Sequence, residues 1–580
     1  MRGRHPFAYV VSIEGPEVGL NLLDAHKGQV ASHREGVSPV TEIGGLFGVD
    51  GGTRLLVMRV RSLSFAEPRE AHRAGGGGPT LDPLRNLDAT ALGTLSRRDG
   101  ELRFTADSMV SPSLGAEAFP LSQEELRAIL RSRVHSGTTL NLGEDVRGGG
   151  PLTVDLSDIL GRHVAVLGST GHGKSSFTAA VLQQLVRLPN PRIVIFDING
   201  EFAEALQPHL APGELQETNL GRGSGFRIPY YALGRHGLSR LLLPSEKTQR
   251  PALAFALENL AYVRWFPSGR GAGLAGDRSP CLFSDCRRDG APAAHAAVEK
   301  LRQGTAAAAV EWPPMAALAS LVAESHSIKP DRNGIPERDA FTFGNVSPLI
   351  TRINRFIEDP MFTSVVDVDG GLPKEAGPLS WSSEGSHLCA RIFGDEASSW
   401  KVHILNLRNV AHDLMPMVLG SLLELFAFEL FRRGQEGTFP TLLVLEEAHH
   451  YLRQIRSEGE DRDGSALAYE RLAKEGRKFG LGLWLSTQRP SEVSATVLSQ
   501  CGTWAVFRLT SDQDLKAVAS AAEWVDRQEL GRIAGLPRQH ALVFGSSVPI
   551  PVRVLAPTAN PTPKSHDPNF GIWGDSQDEA

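Results

Sequence analysis

In this 580-residue chain, Gly168-Ser169-Thr170-Gly171-His172-Gly173-Lys174-Ser175 is the stretch whose residue types and spacing imply chemistry most directly. It matches the pattern Gly-x-x-x-x-Gly-Lys-Ser/Thr without a mismatch. Glycines let successive backbone N–H groups curl round a phosphate, and a following helix adds the positive end of its dipole. Lys174 is positioned to reach β- and γ-phosphates and the Ser175 hydroxyl to ligate Mg²⁺. Gly168, Ser169, Thr170, Gly171, His172, Gly173 and Ser176 complete the expected cradle. The residues predict a nucleotide-binding protein.

A second set lies far downstream. Thr441 to Leu445 is an apolar strand-like run that ends in Glu446-Glu447. A strand of this kind carries one carboxylate, Glu446, to a Mg²⁺ shell, while Glu447 polarises an attacking water. The motif usually opens with Asp, so Glu446 is a variation. Leu481 to Ser486 ends in Thr487-Gln488, which would set the Gln488 amide beside a γ-phosphate. Asp197 and Glu201 follow another buried-type strand, where α/β sheets bind ligands; the alternative is a polar turn with a cap. Arg162 and Arg477 sit at strand N-termini. Five strand residues span roughly 16 Å, too far for either to serve its own subunit's nucleotide. Each is a candidate arginine finger acting on a neighbouring subunit, or else a solvated surface arginine.

These residues need elements to hold them. His163 to Leu167 reads as a buried strand, and Ser176 to Leu188 as a helix with Phe177, Val181, Leu182 and Leu185 at helical spacing. Alternation of strands and helices from about residue 151 predicts an α/β fold with a parallel sheet. Residues 7 to about 110 read instead as short strands with Gly-rich turns, including Gly75 to Gly78, and suggest a small β-barrel. Ser122-Gln123-Glu124-Glu125 opens a helix with a capping box. The resulting domain expectation is a barrel with linker helix over 1–150 and a core in two parts, 151–205 and 386–547. A helical insertion over 206–385 and an extended tail over 548–580 complete it.

A hydrophobic share of 41% supplies ample core material, and a net charge of −6 argues against a simple basic nucleic-acid coat protein. The four cysteines form no disulfide framework; Cys281 and Cys286, without a second pair nearby, make only a weak zinc pattern. Pro416 to Leu430 carries Glu424 and Glu429, so it reads as a buried or interfacial helix rather than a membrane span. No signal-peptide pattern opens the chain, and a cytoplasmic protein is expected.

Together the motifs resemble the HerA family of hexameric ATPases, relatives of the FtsK DNA translocases. The resemblance rests on Arg162-His163 leading into the glycine loop, Asp197 to Phe202, Glu446-Glu447-Ala448-His449, and Gly476 to Gly480 followed by Ser486 to Pro490, in that order. It implies a RecA-like P-loop NTPase core, an N-terminal barrel like the small one that opens HerA proteins (the HAS barrel), and a helical insertion. It also implies a homohexamer that hydrolyses ATP with Mg²⁺ and moves double-stranded DNA through a pore. Such ATPases serve a separate NurA-type nuclease in DNA repair, or a sirtuin-like or nuclease effector in anti-phage defence. The divergences are His172 within the glycine loop and the charged segment Arg453 to Gly464. Two readings follow: an ATP-driven DNA translocase or helicase, or a ring scaffold whose ATP binding organises an effector. Arg222, Arg453 and Arg456 are candidates for DNA contact in the first.

Overall fold

The computed structural model describes residues 5–23, 31–33, 36–38, 42–65, 85–98, 100–107, 110–131, 137–147, 150–245, 247–283, 290–370, 388–436, 439–453, 468–522 and 527–564. The chain divides into two compact units: residues 1–160, 168–177 and 502–558, and residues 161–167, 178–501 and 559–580.

Besides a short hairpin of Ala31–His33 and Gly36–Ser38, the first unit opens with a sheet of seven strands: β1 (Ala8–Glu14), β2 (Glu17–Leu22), β3 (Leu46–Asp50), β4 (Leu55–Phe65), β5 (Arg85–Arg98), β6 (Glu101–Ala106) and β7 (Glu117–Pro120). Six of them pair antiparallel in the cyclic order β1-β2-β5-β4-β3-β7, and β6 extends β5. Closure leaves no edge among the six, which is how a small antiparallel sheet buries its polar backbone. The interior is filled by alternate residues such as Val18 and Leu20, or Leu56, Met58 and Val60, with the Phe7 and Phe47 rings edge-to-face at 5.4 Å. Helix α1 (Gln123–Leu130) carries the expected capping box. Ser122 Oγ accepts from Glu125 N–H at 3.3 Å, and Glu125 Oε2 accepts from Ser122 N–H at 2.8 Å.

Residues 139–155 do not continue the barrel. They form a hairpin, β8 (Thr139–Asp145) and β9 (Gly150–Asp155), that joins the chain's closing strands. The expected 1–150 domain therefore contains the start of a second sheet.

In the second unit six strands run parallel. They are β10 (His163–Leu167), β11 (Ile193–Asp197), β12 (Leu215–Gly221), β13 (Val402–Asn409), β14 (Thr441–Leu445) and β15 (Leu481–Thr487). Their order is β10-β15-β14-β11-β13-β12. β10, β11 and β15 are buried at every position, as strands covered on both faces must be. β12 lies inside the stretch expected to be a helical insertion, so the insertion proper starts after Gly221. Up to Ser364 it is built mainly of helices, among them Gln249–Asn259, Ala316–Ser327 and Ala340–Glu358. The apolar segment near 416–430 is a helix, Met415–Arg433, whose buried Glu429 takes two bonds from Arg432 and one from Arg433. Among the described residues no helix is long and apolar enough to cross a membrane.

Strands β16 (Cys501–Val506), β17 (His540–Gly545) and β18 (Val552–Leu555) return to the first unit and pair antiparallel in sequence, β18 also pairing with β8. After β18, residues 560–564 lie along the second unit. Gln183 exchanges bonds with Asn560 N–H and Pro561 C=O at 3.0 Å each, and Lys564 pairs with Glu204.

Candidate functional site

β10 delivers the chain into the glycine loop, and helix Lys174–Leu185 starts at its end. Gly168, Gly171 and Gly173 have φ of 151°, 73° and 110°, conformations that resist a side chain. Gly168 has a second constraint: a Cβ there would lie 2.5 Å from Phe507 Cβ. Ser169 N–H donates to Arg508 C=O at 2.8 Å, and Gln539 N–H donates to His172 C=O at 3.0 Å. The His172 ring turns inward on its own loop, with Nδ1 3.0 Å from Thr170 O. Lys174 is only 6% exposed, and its Nζ donates to Ser169 C=O at 3.4 Å. Ser175 and Ser176 are half-buried in the first turn, and Thr170 and Gly171 are exposed at the tip. The arrangement is a folded cradle with its ammonium group drawn in, suited to a polyphosphate.

The carboxylates gather in the second unit. Glu446 follows β14 and is 2% exposed, and its Oε2 is buried without a hydrogen-bond partner. Burial above all, then the charges of Asp197 and Glu201, hold its carboxyl well above the usual range. A bare carboxylate oxygen among acidic neighbours is stabilised by a hard cation, so the residues fit Mg²⁺. Among the described residues no three ligands form a ready-made cage. Mg²⁺ does not need one, since it keeps several waters and takes one or two carboxylates besides substrate phosphates.

Asp197 departs from its expected role as a nucleotide contact. Its Oδ1 accepts from Gly200 and Glu201 N–H at 2.7 and 3.1 Å, and its Oδ2 from Phe202 N–H at 3.0 Å. Its carboxylate builds the turn after β11 and reaches the site through Glu446. Glu201 caps the following short helix by position and contributes negative charge.

Glu447 has φ 43° and ψ 49°, a left-handed conformation unusual for a residue with a side chain. Its Oε2 accepts from Gln488 N–H at 3.4 Å and lies 3.2 Å from His449 Nδ1. That same nitrogen is 3.0 Å from Thr487 Oγ1, at the end of β15. The end of β15 thus meets the second carboxylate, through the Gln488 backbone N–H and, by way of His449, the Thr487 hydroxyl. His449 is the residue whose part sequence reasoning missed: it stood within the motif but carried no assigned role.

Arg162 and Arg477 are both exposed, at the N-terminal end of β10 and in the turn Gly476–Phe479 before β15. Between them His163 is buried; its Nδ1 accepts from Leu483 N–H at 3.1 Å and its Nε2 donates to Ala473 C=O at 2.8 Å. Burial lowers the His163 pKa to about 4. Of the other basic candidates, Arg222 is exposed after β12, while Arg453 Nε donates to His449 C=O at 3.2 Å. Arg456, most of the segment Arg453 to Gly464, Gly75 to Gly78 and Cys286 lie outside the described residues. Cys281 is buried against Asp277, with its thiol pushed up to about 11 by burial.

A family model described as "Helicase HerA, central domain" matches residues 140–267. A probable helicase, MJECL08, of Methanocaldococcus jannaschii is 24% identical over 497 residues, 80% of this chain and 78% of that protein. The chain is HerA-like: it is similar to HerA helicases over most of its length. Its similarity extends to the DNA double-strand break repair helicase HerA of Pyrococcus furiosus, 24% identical over 72% of this chain and 68% of that one. Among solved structures, the bacterial conjugative coupling protein TrwB superposes with a TM-score of 0.42 at 14% identity. That match covers 76% of this chain and 95% of the other. HerA-like describes both the order of the motifs and the extent of the match.

Proposed function

We propose that this HerA-like ATPase couples ATP hydrolysis to translocation along double-stranded DNA, or its unwinding, in a homohexameric ring with sites shared between neighbours. The observation that carries the hydrolysis is the Glu446–Glu447 pair: one carboxylate has a bare buried oxygen, the other is held by donors at Oε2. The DNA reading is supported by the HerA relatives, whose names record helicase work in break repair and which match most of this chain.

In this reading Lys174 neutralises the β- and γ-phosphates and the glycine-loop amides cradle them. Ser175 and Glu446 would hold Mg²⁺, which would supply charge neutralisation at the transferring phosphate. Glu447 takes the proton of the attacking water, and Gln488 orients that water. Arg162 or Arg477 of a neighbouring subunit stabilises the charge of the transition state, worth about 10³–10⁵ in rate where such a finger acts. A separate NurA-like nuclease or defence effector is the partner class this motor would serve.

The test is ATP turnover by the purified chain with and without linear duplex DNA, with Lys174→Ala as blank. Turnover stimulated by duplex DNA and lost in the variant is the expected result. Turnover indifferent to DNA would transfer the reading to a ring scaffold for an effector. Absence of turnover in both conditions would overturn hydrolysis by this chain alone.

A further inference from the structure

His449 is 3% exposed, yet it shows one ring nitrogen to two oxygens. Its Nδ1 stands 3.2 Å from Glu447 Oε2 and 3.0 Å from Thr487 Oγ1. An ionised carboxylate only accepts hydrogen bonds, so a bare Nδ1 at that distance would set two lone pairs against each other. The hydrogen therefore belongs on Nδ1, where it is shared between the carboxylate and the hydroxyl; the tautomer follows from the network. Thr487 Oγ1 accepts in addition from Arg489 N–H at 3.1 Å, which fixes it relative to the chain just past β15.

We propose that His449 is a positioning residue for hydrolysis, holding the Glu447 carboxylate in register with the Thr487–Gln488 end of β15. The inference rests on the hydrolysis reading above and adds a residue to it. A glutamate side chain loses roughly 1.5–2 kcal/mol of rotamer entropy when fixed. A general base gains from having that freedom removed before the reaction. Gln488 N–H and His449 Nδ1–H converge on Oε2, and together they set the plane of the carboxylate and the direction of Oε1. Both donors are anchored to the end of β15, so the base follows that strand end instead of rotating about its own χ angles.

The ring itself is braced. The His450 ring packs against His449 at 4.1 Å and against His412 at 4.3 Å between centroids, tilted by 39° and 44°. Burial, and then the neighbouring histidines, lower the His450 pKa to about 4, so the brace is neutral near pH 7. Arg453 Nε donates to the His449 carbonyl at 3.2 Å.

The experiment compares full-length wild type with His449→Asn and His449→Leu in steady-state ATP turnover, alongside fluorescent ATP-analogue binding and thermal melting. Asparagine puts an N–H where Nδ1–H stands; leucine fills the volume and offers no donor. His449→Leu is expected to lower kcat at least about 10-fold with KM and analogue affinity within about threefold, and His449→Asn to recover most of kcat. His449→Leu within about twofold of wild type would overturn the inference. So would His449→Asn and His449→Leu losing kcat equally, or a loss carried by KM and Tm alone. If wild type itself shows no turnover, the hydrolysis reading falls and this inference with it. Failure of the variants against an active wild type removes this inference alone.

Discussion

At the scale of single residues, the site depends on backbone conformations and protonation states that ordinary positions do not need. Glu447 in the left-handed region costs on the order of 1–2 kcal/mol, which its surroundings must supply. Glu447→Gln keeps the size and the αL demand but removes the base. Turnover should fall about 10²–10⁴-fold while ATP-analogue binding stays near wild type, read by stopped-flow hydrolysis and fluorescence titration. Equal losses in binding and turnover would instead mark Glu447 as a structural residue. Gly168→Ala makes the opposite demonstration. It adds a Cβ against Phe507 at a φ that alanine resists, so nucleotide binding and Tm should drop together. The glycine loop and the carboxylate pair were readable in the sequence because each places specific atom types at fixed spacing after a buried strand. The role of His449 was not, because it exists only once Thr487, distant in the chain, is brought beside it. Nor was the commitment of Asp197 to three backbone N–H groups, since a turn-forming and a ligand-facing aspartate look identical in sequence.

At the scale of elements, the parallel strands were readable where both faces are buried and were missed where one is not. β12, Leu-Gln-Glu-Thr-Asn-Leu-Gly, is the terminal strand of the parallel set and is only partly buried, so it lacks the continuous apolar run that marks its neighbours. The expected domain boundary at 150 falls inside the hairpin 139–155, whose pairing with the closing strands no local pattern announces. His163 shows how an element is fastened: one ring bonds Leu483 of β15 and caps a carbonyl in the last turn of Ala468–Glu475. With its pKa lowered from 6.5 to about 4, the folded protein binds this proton less readily than the unfolded chain. Its share of stability is complete above about pH 6.5, declines as pH falls, and is gone below about pH 4. A shift of that size corresponds to about 3 kcal/mol. His403, His326 and His450 are lowered as well, so acid should destabilise wild type through several groups at once. Denaturant titrations from pH 8 to pH 5 should therefore show falling stability, with a shallower fall in His163→Gln. Equal slopes in the two proteins would mean that His163 titrates normally.

At the scale of the whole molecule, the question is what a single chain cannot do alone. Arg162 and Arg477 lie at the N-terminal ends of β10 and β15, whereas the glycine loop follows the C-terminal end of β10. On the proposed reading, an arginine so placed would contribute to hydrolysis by acting on a neighbour, and in a heterologous ring every subunit would both give and receive such a group. If Arg477 is the finger, Lys174→Ala and Arg477→Ala chains are each inactive alone and make a decisive pair when co-assembled, because a competent site then needs the lysine from one subunit and the arginine from the next. Random equal mixing should restore up to about a quarter of the sites, and activity above the sum of the two variants. If Arg477 acts within its own subunit, mixed rings contain wild-type pairs in no chain and stay at that sum. The same mixing with Arg162→Ala separates the two arginines. Restoration with one and not the other identifies the finger, and restoration with both means that the shared site uses a pair.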